Sequence, residues 1–346
     1  MCYLCILLLM TAIAEGTTRF FHLAPVLPSN VNIFKTDENL PYAIRPHAQC
    51  EWELRTGESR FSCSHNSTGL RDTEHSFKKP KNTYRILGLG DSFTYGYGVS
   101  FEQTYLYQLE KMLSHKNSTG TNIEIIKAGM PGYWPEPERI LLEKYGMQYM
   151  PDLVLVGFTP RDVTDTFSGN ASYKVSRDGY LMPGGVFSNL SNQLYVHSHF
   201  FRLLITKLWR VFKFNFFDRW SAIYQNHGFH EKDWLKIENE YLAMLSIVKK
   251  AGANLVIVHI PEIIPLQNNV DKSYPSRRLS NWCQSNGVSF IDVLPAMEEK
   301  HNIDSFYWKE GHCNAKGHTM IAKTIAAFLL KRGLLPERTN RSKQQF

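Results

Sequence analysis

The chain has little cysteine, 6 residues in 346. Two of them, Cys2 and Cys5, fall in an apolar N-terminal stretch. Among the other four no CxxC pair or Cys/His cluster has the spacing of zinc ligands, so no metal site is expected. No Lys/Arg run and no nucleic-acid motif concentrates the net charge of +7, which argues against a nucleic-acid partner. There is no internal repeat. The longest apolar run, Cys2 to Ala14, is short for a bilayer span and lacks the basic residues that usually precede a signal sequence.

What is present fits a folded protein. Hydrophobic residues make up 43% of the chain and aromatics 13%, well above what disorder allows. Ala12-Ile13-Ala14 has the small-x-small pattern of a cleavage site. Residues 1–14 are therefore expected to be a signal peptide or membrane anchor, and the protein to be exported, periplasmic or secreted; a buried N-terminal element is the other reading. In an oxidising compartment the remaining cysteines pair, and four allow three pairings. The most local is Cys50 with Cys63 and Cys283 with Cys313; isolated buried thiols are the alternative. Sequons occur at Asn66, Asn117, Asn170, Asn189 and Asn340. A mildly basic surface suits anionic lipid or acidic glycan. Nothing fixes the oligomeric state.

Residues 15–80 read as an N-terminal extension of Pro-rich and polar turns. It holds one candidate hairpin, Glu51 to Leu54 with Arg60 to Cys63, stapled by Cys50 and Cys63. From 81 the pattern changes to strand alternating with helix. Five strands are expected, at Tyr84 to Leu89, Asn122 to Ala128, Leu153 to Phe158, Asn254 to His259 and Val288 to Ile291. Helices are expected over Glu102 to Leu113, Glu136 to Tyr145, Asp233 to Lys250, Ser276 to Ser285 and Ala315 to Arg332. Such alternation implies a parallel sheet with helices on both faces. The domain spans 81–333, with an insertion at 166–232 and a polar tail at 334–346. Within the insertion, Gly184-Gly185 marks turns. Residues 200–220 interleave Arg and Lys with Phe, Leu and Trp. They suit a membrane-surface helix, a lid, or a core-packed helix with snorkelling cations.

The chemistry gathers where strands end. The first strand stops at Gly90-Asp91-Ser92. A serine there is a turn residue or, at the ligand edge of an open α/β sheet, a nucleophile. A nucleophilic serine needs a base, and His312, in the loop before the last helix, can reach the strand ends. Glu310 is the nearest carboxylate to orient that base, with Asp304 in reserve. An oxyanion needs donors, which the N–H groups of Ser92 and Gly129 can supply, with a third from Thr159-Pro160-Arg161-Asp162. Asp91 and Asp162 in these loops, and His259 at the end of the fourth strand, are candidate substrate contacts; packing is the other reading of His259. Trp52 and Trp134 are candidates to stack on a sugar, or buried aromatics.

Taken in order, Gly90-Asp91-Ser92, Gly129, Pro151-Asp152-Leu153-Val154 and His312-Cys313-Asn314-Ala315-Lys316-Gly317-His318 resemble the SGNH, or GDSL-type, hydrolase superfamily. Asn66-Ser67-Thr68-Gly69-Leu70-Arg71-Asp72 is similar to a segment preceding the catalytic domain in some envelope members. The resemblance covers roughly Asn66 to Gly333. It implies a three-layer α/β/α sandwich of flavodoxin-like topology around a mostly parallel five-stranded sheet. It also implies ester hydrolysis through an acyl-enzyme, without metal or organic cofactor, on a small-molecule, glycan or lipid ester. Ser92 becomes the nucleophile, His312 the base, and Gly129 an oxyanion donor. The pattern departs at two places. Arg161 stands where the family has the asparagine that donates to the oxyanion, and Lys309 where it usually has the acid, which leaves Glu310. Arg161 then compensates as a donor, binds an anionic substrate, or marks reduced activity. The alternatives to an esterase are an acyltransferase using the same site and a non-catalytic glycan- or lipid-binding protein.

Overall fold

The computed structural model describes residues 2–24, 31–54, 56–116, 120–168, 173–183, 189–212, 231–263, 271, 273–300 and 302–336. The chain divides into two compact units, Ile44–Phe167 with Ser221–Phe346, and Met1–Ala43 with Ser168–Trp220. The extension expected over 15–80 is thus shared between them.

The larger unit is built on five strands: β1 Thr83–Gly90, β2 Asn122–Gly129, β3 Leu153–Phe158, β4 Asn254–His259 and β5 Ser289–Asp292. Their order is β2-β1-β3-β4-β5, and every adjacent pair is parallel rather than mostly so. This is the flavodoxin-like order, whose direction reverses between β1 and β3 and opens a crevice at their carboxyl ends. β3 is apolar and buried throughout, as a strand covered on both faces must be. The helices are α1 Tyr105–Lys116, α2 Pro135–Lys144, α3 Arg161–Ser168, α4 Glu231–Lys250, α5 Tyr274–Asn286 and α6 Ala315–Lys331. On one face Leu106, Leu109 and Leu113 of α1 join Ile321, Ile325 and Leu329 of α6 over Ile86, Leu155 and Val256. On the other, α2 packs on α4, and α5 sets Trp282 5.8 Å from Tyr241 of α4. The result is three layers, α/β/α.

β2 is an edge strand, yet two of its outward N–H groups are occupied. Ile125 N donates to Glu110 Oε1 at 2.9 Å, and Lys127 N to Asp72 Oδ2 at 2.8 Å. Lys127 Nζ, itself buried, meets both carboxylates, at 2.9 Å and 3.1 Å. Asp72 belongs to the strap from Asn66. There Asn66 Oδ1 accepts from Thr68 N and Leu70 N, and Nδ2 donates to Thr73 O. Asn66 is buried in its own loop, with its side-chain amide committed to these bonds. Asn117, Asn170 and Asn340 lie outside the described residues.

Before the strap, Gln49–Glu53 and Arg60–Ser64 pair as an antiparallel hairpin with Cys50 opposite Cys63, joined as a disulfide. The second expected bridge is absent. Cys283 and Cys313 are free and buried. Cys283 sits on α5, on the α4 side of the sheet, while Cys313 packs in the α1–α6 core and against Gly317, so the layers keep the two thiols apart.

In the smaller unit the apolar helix runs Cys2–Phe20, past the expected end at Ala14. Every residue from Tyr3 through Ile13 is exposed, while Thr18 is buried. Glu15 accepts from Ser198 Oγ, His199 N and Phe200 N, capping the helix His199–Phe212. Burial works against that charge, but these bonds and Arg19 bring the carboxyl down to about 2. Of the aromatic-basic stretch 200–220, residues 213–220 lie outside the described residues, as do Gly184-Gly185 and the tail beyond 336.

The hairpin disulfide closes a loop of sequence separation 13. Replacing Cys50 and Cys63 together by serine is expected to lower stability in chemical denaturation by about 3 kcal/mol, the entropy such a loop gains when opened.

Candidate active site

Ser92 stands on a one-turn helix, Ser92–Tyr95, set across the end of β1. Gly90 makes the approach possible: its φ is 149°, and a Cβ there would lie 2.1 Å from Thr94 Oγ1. Asp91 caps the turn, accepting from Phe93 N at 2.8 Å. Gly96, at φ 81°, closes it in the left-handed conformation. Arg71 of the strap, buried, then fastens the far end. Its guanidinium donates to the carbonyls of Gly96 (2.8 Å), Val99 (2.9 Å), Tyr95 (3.2 Å) and Ser62 (3.2 Å).

Ser92 Oγ lies 2.7 Å from His312 Nε2, and His312 Nδ1 lies 2.6 Å from Glu310 Oε1. Glu310 as acceptor places the imidazole proton on Nδ1 and leaves Nε2 to accept from the serine. A tight reversal sets the two residues side by side: Trp308 N donates to His312 O at 2.8 Å, and Tyr307 bridges Cys313. The rings of Tyr97 and Phe93 lie 4.8 Å and 4.9 Å from the imidazole. The hairpin braces both sides of the pair, Glu58 Oε2 accepting from Lys309 N in the histidine loop and Ser59 Oγ donating to Gly98 O just past the serine turn. Burial disfavours the Glu310 charge, but the His312 bond and charge, with Arg161 adding, hold its carboxyl below the ordinary range. Asp304 is exposed, and the carboxylate that meets His312 Nδ1 is that of Glu310.

Gly129 is in register with Gly90. Its N–H has the outward parity of Ile125 and Lys127, so the ladder to β1 does not consume it. A Cβ on Gly129 would strike Tyr95 N at 2.3 Å and Thr94 C at 2.5 Å, so only glycine lets β2 lie this close to the serine turn. Ser92 N–H opens a helical turn, where intrahelical acceptors are lacking. Arg161 is the first residue of α3. Its Nε lies 3.3 Å from Glu262 Oε1, and its charge also acts on Asp91, Asp165 and Glu310.

Three expected substrate contacts prove to be internal. Asp91, 2% exposed, caps the serine turn and accepts from Thr159 Oγ1 at 3.0 Å. Asp162, fully buried, accepts from Thr159 N at 3.0 Å. Together they tie the end of β1 to the end of β3. His259, 1% exposed, gives Nδ1 to Asp292 Oδ1 at 2.8 Å, across β4 and β5. His318 likewise packs inward, its Nδ1 accepting from Tyr105 N at 3.2 Å. Trp52 and Trp134 are buried and present no face to a sugar. Among the described residues no group of three or more His, Cys, Asp or Glu is placed to hold a metal ion.

Sequence reasoning missed Arg71, Tyr97 and Glu262. Arg71 lies inside the Asn66–Asp72 segment, but a sequence motif does not say which carbonyls an arginine will meet. Glu262 had no signal beyond its place three residues past β4.

The short Nδ1–Glu310 contact has a direct readout. A far-downfield imidazole proton resonance is expected in the wild type and is expected to vanish in Glu310→Ala while the fold persists; its survival would break the assignment.

No protein-family model matches the chain, and no curated protein matches it. Solved structures with a related fold include TesA, at 13% identity and TM-score 0.45, covering 72% of this chain and 99% of that one. An acetylxylan esterase, Axe2, from Geobacillus stearothermophilus has 14% identity and TM-score 0.44, with 72% and 94% covered. A lipase/acylhydrolase from Enterococcus faecalis has 16% identity and TM-score 0.42, with 72% and 96% covered. These are likenesses at low identity, and what the site does is carried by its own side chains.

Proposed function

We propose that the chain is an SGNH-type serine ester hydrolase. The observation that carries this reading is the relay from Ser92 Oγ through His312 to Glu310, with contacts of 2.7 Å and 2.6 Å, at the crevice beside β1. Ser92 Oγ attacks the ester carbonyl as His312 Nε2 takes its proton. Glu310 steadies the imidazolium. The oxyanion gathers donors from Ser92 N–H, Gly129 N–H and Arg161. The alkoxide leaves with the proton from His312, and an acyl group stays on Ser92. Water, deprotonated by the same imidazole, then releases the acid. An alcohol in place of water would make the same site an acyltransferase.

The substrate is an acyl or acetyl ester, on a small molecule, a glycan or a lipid. An N-terminal apolar helix and a disulfide fit export to an oxidising compartment. A non-catalytic binding protein would not need a serine hydroxyl within bonding distance of an oriented imidazole, which is why the catalytic reading is preferred.

Two outcomes are expected. Ser92→Ala abolishes hydrolysis of p-nitrophenyl acetate and labelling by a fluorophosphonate probe, with an unchanged melting curve; equal turnover in the mutant would exclude Ser92 as nucleophile. Arg161→Ala lowers kcat about a hundredfold, the order lost with one oxyanion donor; a rise in kcat would instead mark Arg161 as an impairment.

A further inference from the structure

Arg161 and Glu262 are brought together from the ends of neighbouring strands, β3 and β4. The Glu262 backbone is pinned nearby: Ile260 N donates to Phe158 O at 2.8 Å, and Tyr307 Oη to Pro261 O at 2.6 Å. The Glu262 side chain is 2% exposed, against 38% for Arg161. Among the described residues Glu262 Oε2 has no hydrogen-bond partner. A buried carboxylate with one oxygen on a half-exposed guanidinium is a poor stability device, because its desolvation offsets the attraction. It is a good orienting device. The guanidinium is planar and rigid, so a carboxylate at Nε sets the direction of both Nη groups. Arg161 acts electrostatically on Asp91, next to the nucleophile, and on Glu310 of the relay.

We propose that Glu262 is a positioning residue that holds the Arg161 guanidinium at the Ser92 acyl site, where Arg161 replaces a side-chain amide as oxyanion donor. The proposal rests on the reading of Ser92 as nucleophile. It also sets a pH at which the grip changes. Burial pushes the Glu262 carboxyl up to about 7, Asp91 and Asp165 adding to the rise and Arg161 opposing it. Asp165, on α3, is likewise pushed up to about 7 by burial. Cys313 also lies in electrostatic reach of Glu262. Because the value is raised, the charged grip is present above about 7 and is lost as pH falls through it.

The test compares wild type, Glu262→Gln, Glu262→Asp, Arg161→Ala and the Arg161→Ala/Glu262→Gln double variant, all checked for melting. The readouts are fluorophosphonate labelling rate and p-nitrophenyl acetate kinetics. At about pH 8.5 Glu262→Gln is expected to lower kcat and the labelling rate about tenfold, with KM little changed. At about pH 5.5, where wild-type Glu262 is itself protonated, the two proteins are expected to converge. Glu262→Asp, which keeps the charge, loses less at the higher pH. In the Arg161→Ala background the glutamine substitution adds nothing. A loss equal at both pH values, a loss that persists without Arg161, or no loss overturns the proposal while wild-type labelling keeps the Ser92 reading. Wild-type protein that is folded but unlabelled overturns both.

Discussion

One hydrogen bond, between Ser92 Oγ and His312 Nε2, joins positions 220 residues apart, and the larger unit has to be folded for it to exist. The serine depends on β1 and on the caps at Asp91 and Gly96. The histidine depends on β5, on α6 that follows it, and on the reversal at Trp308 to His312. Neither end is held by its own segment alone. Arg71 reaches in from the strap to fix the serine turn, and Glu58 reaches in from the hairpin to fix the histidine loop. The hairpin and the strap ahead of the sheet are therefore a brace for the Ser92–His312 contact.

The strands were legible because their chemistry is local. Leu153 to Phe158 and Asn254 to His259 are apolar runs of strand length, and they occur where the residues predict. The helices start and stop within a few residues of the expected places, since caps and glycine stops are local signals. The pair His312 and Glu310 was legible for a different reason: two residues apart in a tight loop, they can meet whatever the rest of the fold does. The Cys50–Cys63 bridge follows similarly from hairpin register. The Cys283–Cys313 pairing failed because closeness in sequence says nothing of which layer a residue joins.

The polar residues at the strand ends were the least legible. Asp91, Asp162 and His259 are of residue types that can bind a ligand and lie at the right edge of the sheet, yet each is turned to a neighbouring loop or strand. An open α/β sheet must hold its strand-end loops against one another before it can hold a ligand, and polar side chains are the available ties. Glu262 shows the converse. Nothing in its local sequence is unusual, and its meaning comes only from the arginine opposite, on a different strand end.

The occupied edge of β2 has a consequence for how the protein meets others. An exposed parallel edge is a template on which a foreign strand can continue the sheet, by peptide capture or by runaway self-association. Here Glu110 and Asp72 already hold the outward N–H groups of Ile125 and Lys127. A strand arriving at that side would have to displace two carboxylates that also neutralise the buried Lys127 ammonium. The strap that steadies the serine turn through Arg71 thus also acts, through Asp72 one residue later, as a gatekeeper against β-sheet polymerisation.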